Sequence, residues 1–150
     1  MKTKFFSNVL LALSMLALPA TQAFAREGVM IVNHENVTVA TGSGKPVNAD
    51  QVKLAISNAA TAKNWTIAQQ GDGKLSAALT VRGKHHVVVE ISYSSDKYSL
   101  IYKDSTNMNY GRFAARPVPG QISSDITIHP NYNKWVDQLM QGIRSELLRL

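Results

Sequence analysis

The chain has no cysteine. That absence excludes a disulfide framework, a thiol nucleophile, a thiolate metal site and the acylated cysteine of a lipoprotein, so the fold has only its own core to hold it. There is no basic run and no nucleic-acid-binding motif: the 16 Lys and Arg are spread thinly among 10 Asp and Glu, the pattern of a solvated surface. Thr41-Gly42-Ser43-Gly44-Lys45-Pro46 lacks the earlier glycine and the hydroxyl residue after the lysine that a phosphate loop requires, and reads as a connector. His34-Glu35 lacks the second histidine of a zincin helix, and the adjacent His85 and His86 point to opposite faces of a strand. Neither a metal nor another cofactor is expected from these spacings.

Lys2 and Lys4 precede an apolar run from Val9 to Ala20, and Ala23-Phe24-Ala25 supplies small residues for cleavage. Residues 1–25 therefore read as a secretory signal peptide, with a single domain over residues 26–150 in the periplasm or outside the cell. The run falls short of the ~20 residues that span a bilayer, and no second apolar segment follows. Removing Lys2 and Lys4 leaves 14 basic against 10 acidic residues, a net charge of +4.

The most informative stretch is Trp65 to Asp104, which reads as four antiparallel strands joined by three tight turns. A loop at Ser94-Ser95-Asp96-Lys97 pairs Tyr93 with Tyr98, Ile91 with Leu100 and Val89 with Tyr102. Turns at Arg82-Gly83-Lys84 and Gly71-Asp72-Gly73 preserve the parity, setting Leu79, Ala77 and Leu75 opposite Val87, Val89 and Ile91, and Ile67 opposite Ala77. All three turns thus place Trp65, Leu79, Val81, Ile91, Leu100 and their neighbours on one flank. A one-residue slip would scatter the set. The other flank carries Lys74, Ser76, Thr80, Arg82, Glu90, Ser92, Ser99 and Lys103, a solvated face or, at an exposed edge, a place for strand addition.

Two helices frame the meander. Asn48 caps the first, with Gln51 at the capping-box position, a Val47–Val52 staple and Val52, Ala55, Ile56 and Ala59 as its buried stripe. Asn64 ends it. The second is expected to start near His129-Pro130 and to carry an apolar stripe from Tyr132 through Trp135, Val136, Leu139 and Ile143 to Leu150. A preceding strand is expected at Gly28–Val32, and a second alternation at Val37 and Val39 makes it one bent strand or a hairpin, which could join either side of the meander. The expected fold class is α+β: a two-layer sandwich in the order β-α-β-β-β-β-α, with a four-stranded antiparallel meander covered on one face by both helices.

Val89-x-Ile91-x-Tyr93, Tyr98-x-Leu100-x-Tyr102-Lys103-Asp104-Ser105 and Ile128-His129-Pro130-Asn131-Tyr132-Asn133-Lys134-Trp135-Val136-x-x-Leu139 resemble a pattern found in small exported bacterial proteins and lipoproteins of no assigned biochemical role. The resemblance runs from about Gly44 to Leu148. It implies a periplasmic or envelope-facing β-α domain and carries over no substrate, cofactor or catalytic residue. This chain departs from many such proteins in lacking the lipidation cysteine.

The best polar constellation is Asp104, Ser105, Asn107 and Tyr110 after the last meander strand, with His129, Asn131 and Asn133 at the start of helix two. Meeting at one end of the domain, their amides, hydroxyls and helix N–H groups suit an anion, a sugar or a peptide terminus. The competing reading is that they cap the helix and lace down the loop. The sequence points first to a non-enzymatic binding or scaffolding module with a protein or envelope partner. A small hydrolase centred on Ser105 and His129 is the alternative, and a secreted inhibitor or effector a third; no nucleophile elbow supports a Ser105–His129–Asp104 triad.

Overall fold

A computed structural model describes residues 28–112 and 126–150. The expected secretory segment 1–25 and the loop positions Arg116, Pro117, Pro119, Gly120 and Ser124 lie outside the described residues. The elements are β1 (Val29–Met30), β2 (His34–Thr38), α1 (Ala49–Ala62), β3 (Thr66–Gly71), β4 (Lys74–Val81), β5 (His85–Tyr93), β6 (Lys97–Thr106), β7 (Gly111–Arg112), β8 (Ile126–Ile128) and α2 (Asn131–Leu147).

The turns hold the parity that the alternation demands. Ile67 lies opposite Ala77, Leu79 opposite Val87, Leu75 opposite Ile91, Ile91 opposite Leu100 and Tyr93 opposite Tyr98. In the turn between β4 and β5 both Arg82 (φ 54°) and Gly83 (φ 63°) take left-handed backbone, the positive φ that tight hairpin turns favour. The inner flank from Trp65 to Tyr102 is buried or packed on the buried core, joined by Val52, Ile56, Leu139 and Ile143 from the helices. The result is an α+β sandwich of a five-stranded antiparallel sheet, in the order β2-β6-β5-β4-β3, and two helices. The meander's four strands are thus extended by β2, which pairs with β6.

The Asn48–Gln51 capping box is formed, each side chain receiving the other's backbone N–H at 2.9 and 3.0 Å. Asn64, at φ 61°, turns the chain out of α1 into β3. Small residues bring the helices together: a Cβ placed on Gly142 of α2 would sit 3.4 Å from that of Ala59 in α1.

Four expectations need correction. First, residues 28–32 join neither side of the meander; β1 pairs with β8 in a separate three-stranded sheet, in the order β1-β8-β7. Asn33 makes the switch between sheets, its Oδ1 accepting the Tyr102 N–H at 2.9 Å where a strand would otherwise pair. Second, the last meander strand does not stop near Asp104. β6 continues to Thr106, β7 and β8 follow, and Met108 is buried in the core.

Third, α2 begins at Asn131, one residue after Pro130, which makes no side-chain cap bond. Instead the imidazole of His129 accepts the Asn131 N–H on Nδ1 at 3.1 Å, doing what a Ser or Asp oxygen usually does at a helix start. Fourth, the apolar stripe ends with the helix at Leu147; Leu148 and Leu150 are exposed.

Candidate functional site

A bulge in β6 creates the end of the sheet where most candidate residues meet. Val89 pairs with Tyr102 but Val88 pairs with Asp104, so Lys103 has no partner on β5. One extra residue reverses the alternation beyond it. Ser105, which plain alternation would turn outward, therefore lies opposite Val87 on the inner flank. Its Oγ meets the Tyr102 hydroxyl at 3.0 Å, and its N–H donates to Asp104 Oδ1 at 2.8 Å.

Around this point the aromatic rings gather. Tyr110, exposed, stacks on Tyr102 with centroids 4.7 Å apart and planes 4° from parallel, while the buried Tyr132 meets Tyr102 edge-on at 5.5 Å. Burial pushes the Tyr102 phenol above its ordinary pKa, helped by the nearby Tyr110 and Asp104, with the Ser105 hydrogen bond opposing. A phenol held neutral in this way is no base for activating Ser105.

On the same flank, His85 Nδ1 donates to the Asn107 carbonyl at 2.8 Å, and its ring lies 6.1 Å from that of His129 and 6.3 Å from that of Trp135. Asn107 itself takes left-handed backbone at φ 62°, which aims that carbonyl at the ring. The His129 N–H donates to the Met108 carbonyl at 2.8 Å. Because His129 Nδ1 accepts a backbone N–H, it cannot offer an N–H to Asp104, and Ser105 is engaged with Tyr102 instead. The Ser–His–Asp relay is not assembled in this arrangement. His86 points to the opposite face, with Nδ1 3.0 Å from Thr80 Oγ1.

Asn133 stands apart from this group. Its Oδ1 accepts the Val32 N–H at 3.1 Å and its Nδ2 donates to the Met30 carbonyl at 2.8 Å. It therefore clamps the N-terminal strand to α2 across about a hundred residues of sequence, whereas sequence reasoning had it facing the 104–110 segment. Asn131 contributes its backbone N–H to the His129 cap. Thus Asp104, Ser105, Asn107, Tyr110, His129 and Asn131 share one end of the domain, held by contacts among themselves and with Tyr102, His85 and Met108.

Several participants carried no sequence signal for the contacts they make. Asn33 and Asn133 act through contacts distant along the chain, and His85 joins His129 and Trp135 only once β5 and α2 are docked. His34 is similar: its Nε2 lies 3.0 Å from Asp137 Oδ1, a contact between β2 and α2 that becomes an ion pair when the imidazole is protonated.

No three His, Asp or Glu side chains gather into a metal-binding group among the described residues. No helix among them is long and apolar enough to cross a membrane. No protein-family model, no curated protein and no solved structure matches the chain.

Proposed function

We propose that this chain is an exported envelope protein that works as a binding or scaffolding module, engaging a protein partner by strand addition at β3. The observation that carries this reading is the free side of β3. Among the described residues nothing pairs with the sheet beyond Thr66–Gly71, and Thr66-Ile67-Ala68-Gln69-Gln70 holds neither a charged residue nor a proline. Natural sheets usually protect such an edge with charge, proline or a bulge. β2 at the opposite edge is only five residues long and irregular between His34 and Val37, whereas on β3 the register shifts only at its end, between Gln69 and Gly71, leaving Thr66–Gln69 in regular pairing with β4. Lys53 of α1 reaches this edge, where its ammonium contacts Gln69 Oε1. An incoming strand would find unpaired main-chain groups for affinity and the half-buried Ile67 for register.

The basic start, apolar run and Ala23-Phe24-Ala25 site support export. The engagement of Ser105 with Tyr102 and Asp104, of His129 with Asn131, and of Asn133 with Met30 supports a binding role over the hydrolase reading. The test is amide exchange at residues 66–70 of the protein, alone and with proteins extracted from its own envelope fraction. Slower exchange on mixing, abolished by Thr66→Lys with Ala68→Lys on the exposed face, is the expected result. Exchange that does not change on mixing, or that slows equally in the double variant, would refute strand addition.

A further inference from the structure

At the β2 edge of the sheet, an open groove of about 470 Å³ runs between the end of β2 and the last turn of α2, lined by Val37, Thr38, Ala40, Arg144, Leu147 and Leu148. Its volume falls within the ~300–1,000 Å³ of small-molecule sites. Leu148, 58% exposed, gives it an apolar wall open to solvent. Gly42 sets the far end of that wall. A Cβ there would come within 2.2 Å of the Leu148 carbonyl oxygen, so only glycine lets the connector lie against the end of the helix.

One charged group, the Arg144 guanidinium, lies on the groove wall. Among the described residues, no carboxylate lies within ion-pair distance of Arg144. Beside it is the hydroxyl of Tyr98, whose residue is the register partner of Val37 on the groove wall. That hydroxyl is sealed from solvent, lies off the groove lining, and has the Arg144 guanidinium as its polar neighbour. A cation without a counter-ion at the end of an aliphatic trough is complementary to a negative head on an apolar tail. A peptide would bring a polar backbone that the Ala40, Leu147 and Leu148 side chains could not satisfy; an alkyl chain makes no such demand.

We propose that this groove binds a single-chain carboxylate amphiphile, with the carboxylate on the Arg144 guanidinium next to Tyr98 and the chain along Val37, Ala40, Leu147 and Leu148. The site lies at the opposite edge of the sheet from β3 and is independent of any strand added there.

The experiment is titration of the protein with decanoate below its micelle concentration, followed by calorimetry and by backbone amide shifts. Decanol serves as the uncharged chain and acetate as the chainless charge. Decanoate is expected to bind and to shift the amides of residues 37–40 and 144–148, with decanol and acetate each at least about tenfold weaker. Arg144→Gln should weaken decanoate by about tenfold or more, as loss of a charge-assisted contact does. Ala40→Glu, at an exposed position that the fold tolerates, should abolish binding by placing a carboxylate in the trough. Equal binding of decanol and decanoate, an Arg144→Gln affinity within twofold of the parent, or shifts confined to other parts of the chain would overturn the proposal. An acetylated dipeptide ending in leucine that binds more tightly than decanoate would also overturn it, in favour of a peptide carboxylate.

Discussion

Removing one oxygen atom from the core should make this protein more stable. Tyr98 is 1% exposed, and its hydroxyl, cut off from solvent, makes no well-formed hydrogen bond and has only the Arg144 guanidinium as a polar neighbour. Leaving a buried hydroxyl unsatisfied costs about 1–3 kcal/mol. The nearby Arg144 offsets part of that cost; burial nevertheless pushes the phenol above its ordinary pKa, with the guanidinium opposing. Tyr98→Phe keeps the ring and its contacts with Val37 and the core, and loses only the atom that is paying the desolvation cost. The expected change is a gain of about 1 kcal/mol, the lower end of that range. In urea, with a slope of roughly 1–3 kcal/mol per molar, this moves the midpoint up by roughly 0.5 M without changing the slope. The measurement is equilibrium unfolding near neutral pH with no fatty acid present. A loss of 1 kcal/mol or more would mean that the hydroxyl is bonded in solution, and the argument from its isolation would fail.

Two further outcomes follow from buried and clamping side chains. Burial, with Tyr102 nearby, raises the Tyr132 phenol well above the ordinary value of 10.0, so the unfolded chain ionises first as the solution is made alkaline. The contribution of this group is complete below pH 10 and is lost as the pH climbs toward the folded-state value. Stability should therefore fall above pH 10, with Tyr132→Phe removing up to about 1.4 kcal/mol per pH unit from the slope; unfolding curves of equal pH slope would contradict this. Asn133→Asp keeps an acceptor for Val32 but turns a carboxylate oxygen toward the Met30 carbonyl, and should cost about 1 kcal/mol. Were Asn133 only a helix-start residue, aspartate would instead stabilise by about 0.3–1 kcal/mol through the helix dipole, so a variant with a melting temperature at or above the parent's would refute the clamp.

How far the sequence could be read depended on the range of the interactions involved. The meander was legible because each hairpin is local: the turns at Gly71–Gly73, Arg82–Lys84 and Ser94–Lys97 set the register of strands whose residues are close in sequence. The Asn48–Gln51 box was legible for the same reason, its partners being three residues apart. The candidate site was half legible. Ser105 and His129 do come to the same end of the domain, but the Lys103 bulge that turns Ser105 inward has no residue signature, since a bulge is decided by what both strands can pack. The role of His129 as a helix cap was hidden by Pro130, which invites the start of the helix to be placed one residue early.

The amino-acid order by itself determined the alternation, the turns and the amphipathic stripes, because side-chain direction along a strand or helix follows from backbone periodicity alone. Only the tertiary structure decided where the N-terminal strand goes, which groups Asn33 and Asn133 satisfy, and that Val37 meets Arg144 and Leu148 at one groove. Those outcomes turn on contacts between residues tens of positions apart, whose free energies become favourable only after the core has already brought their elements into place.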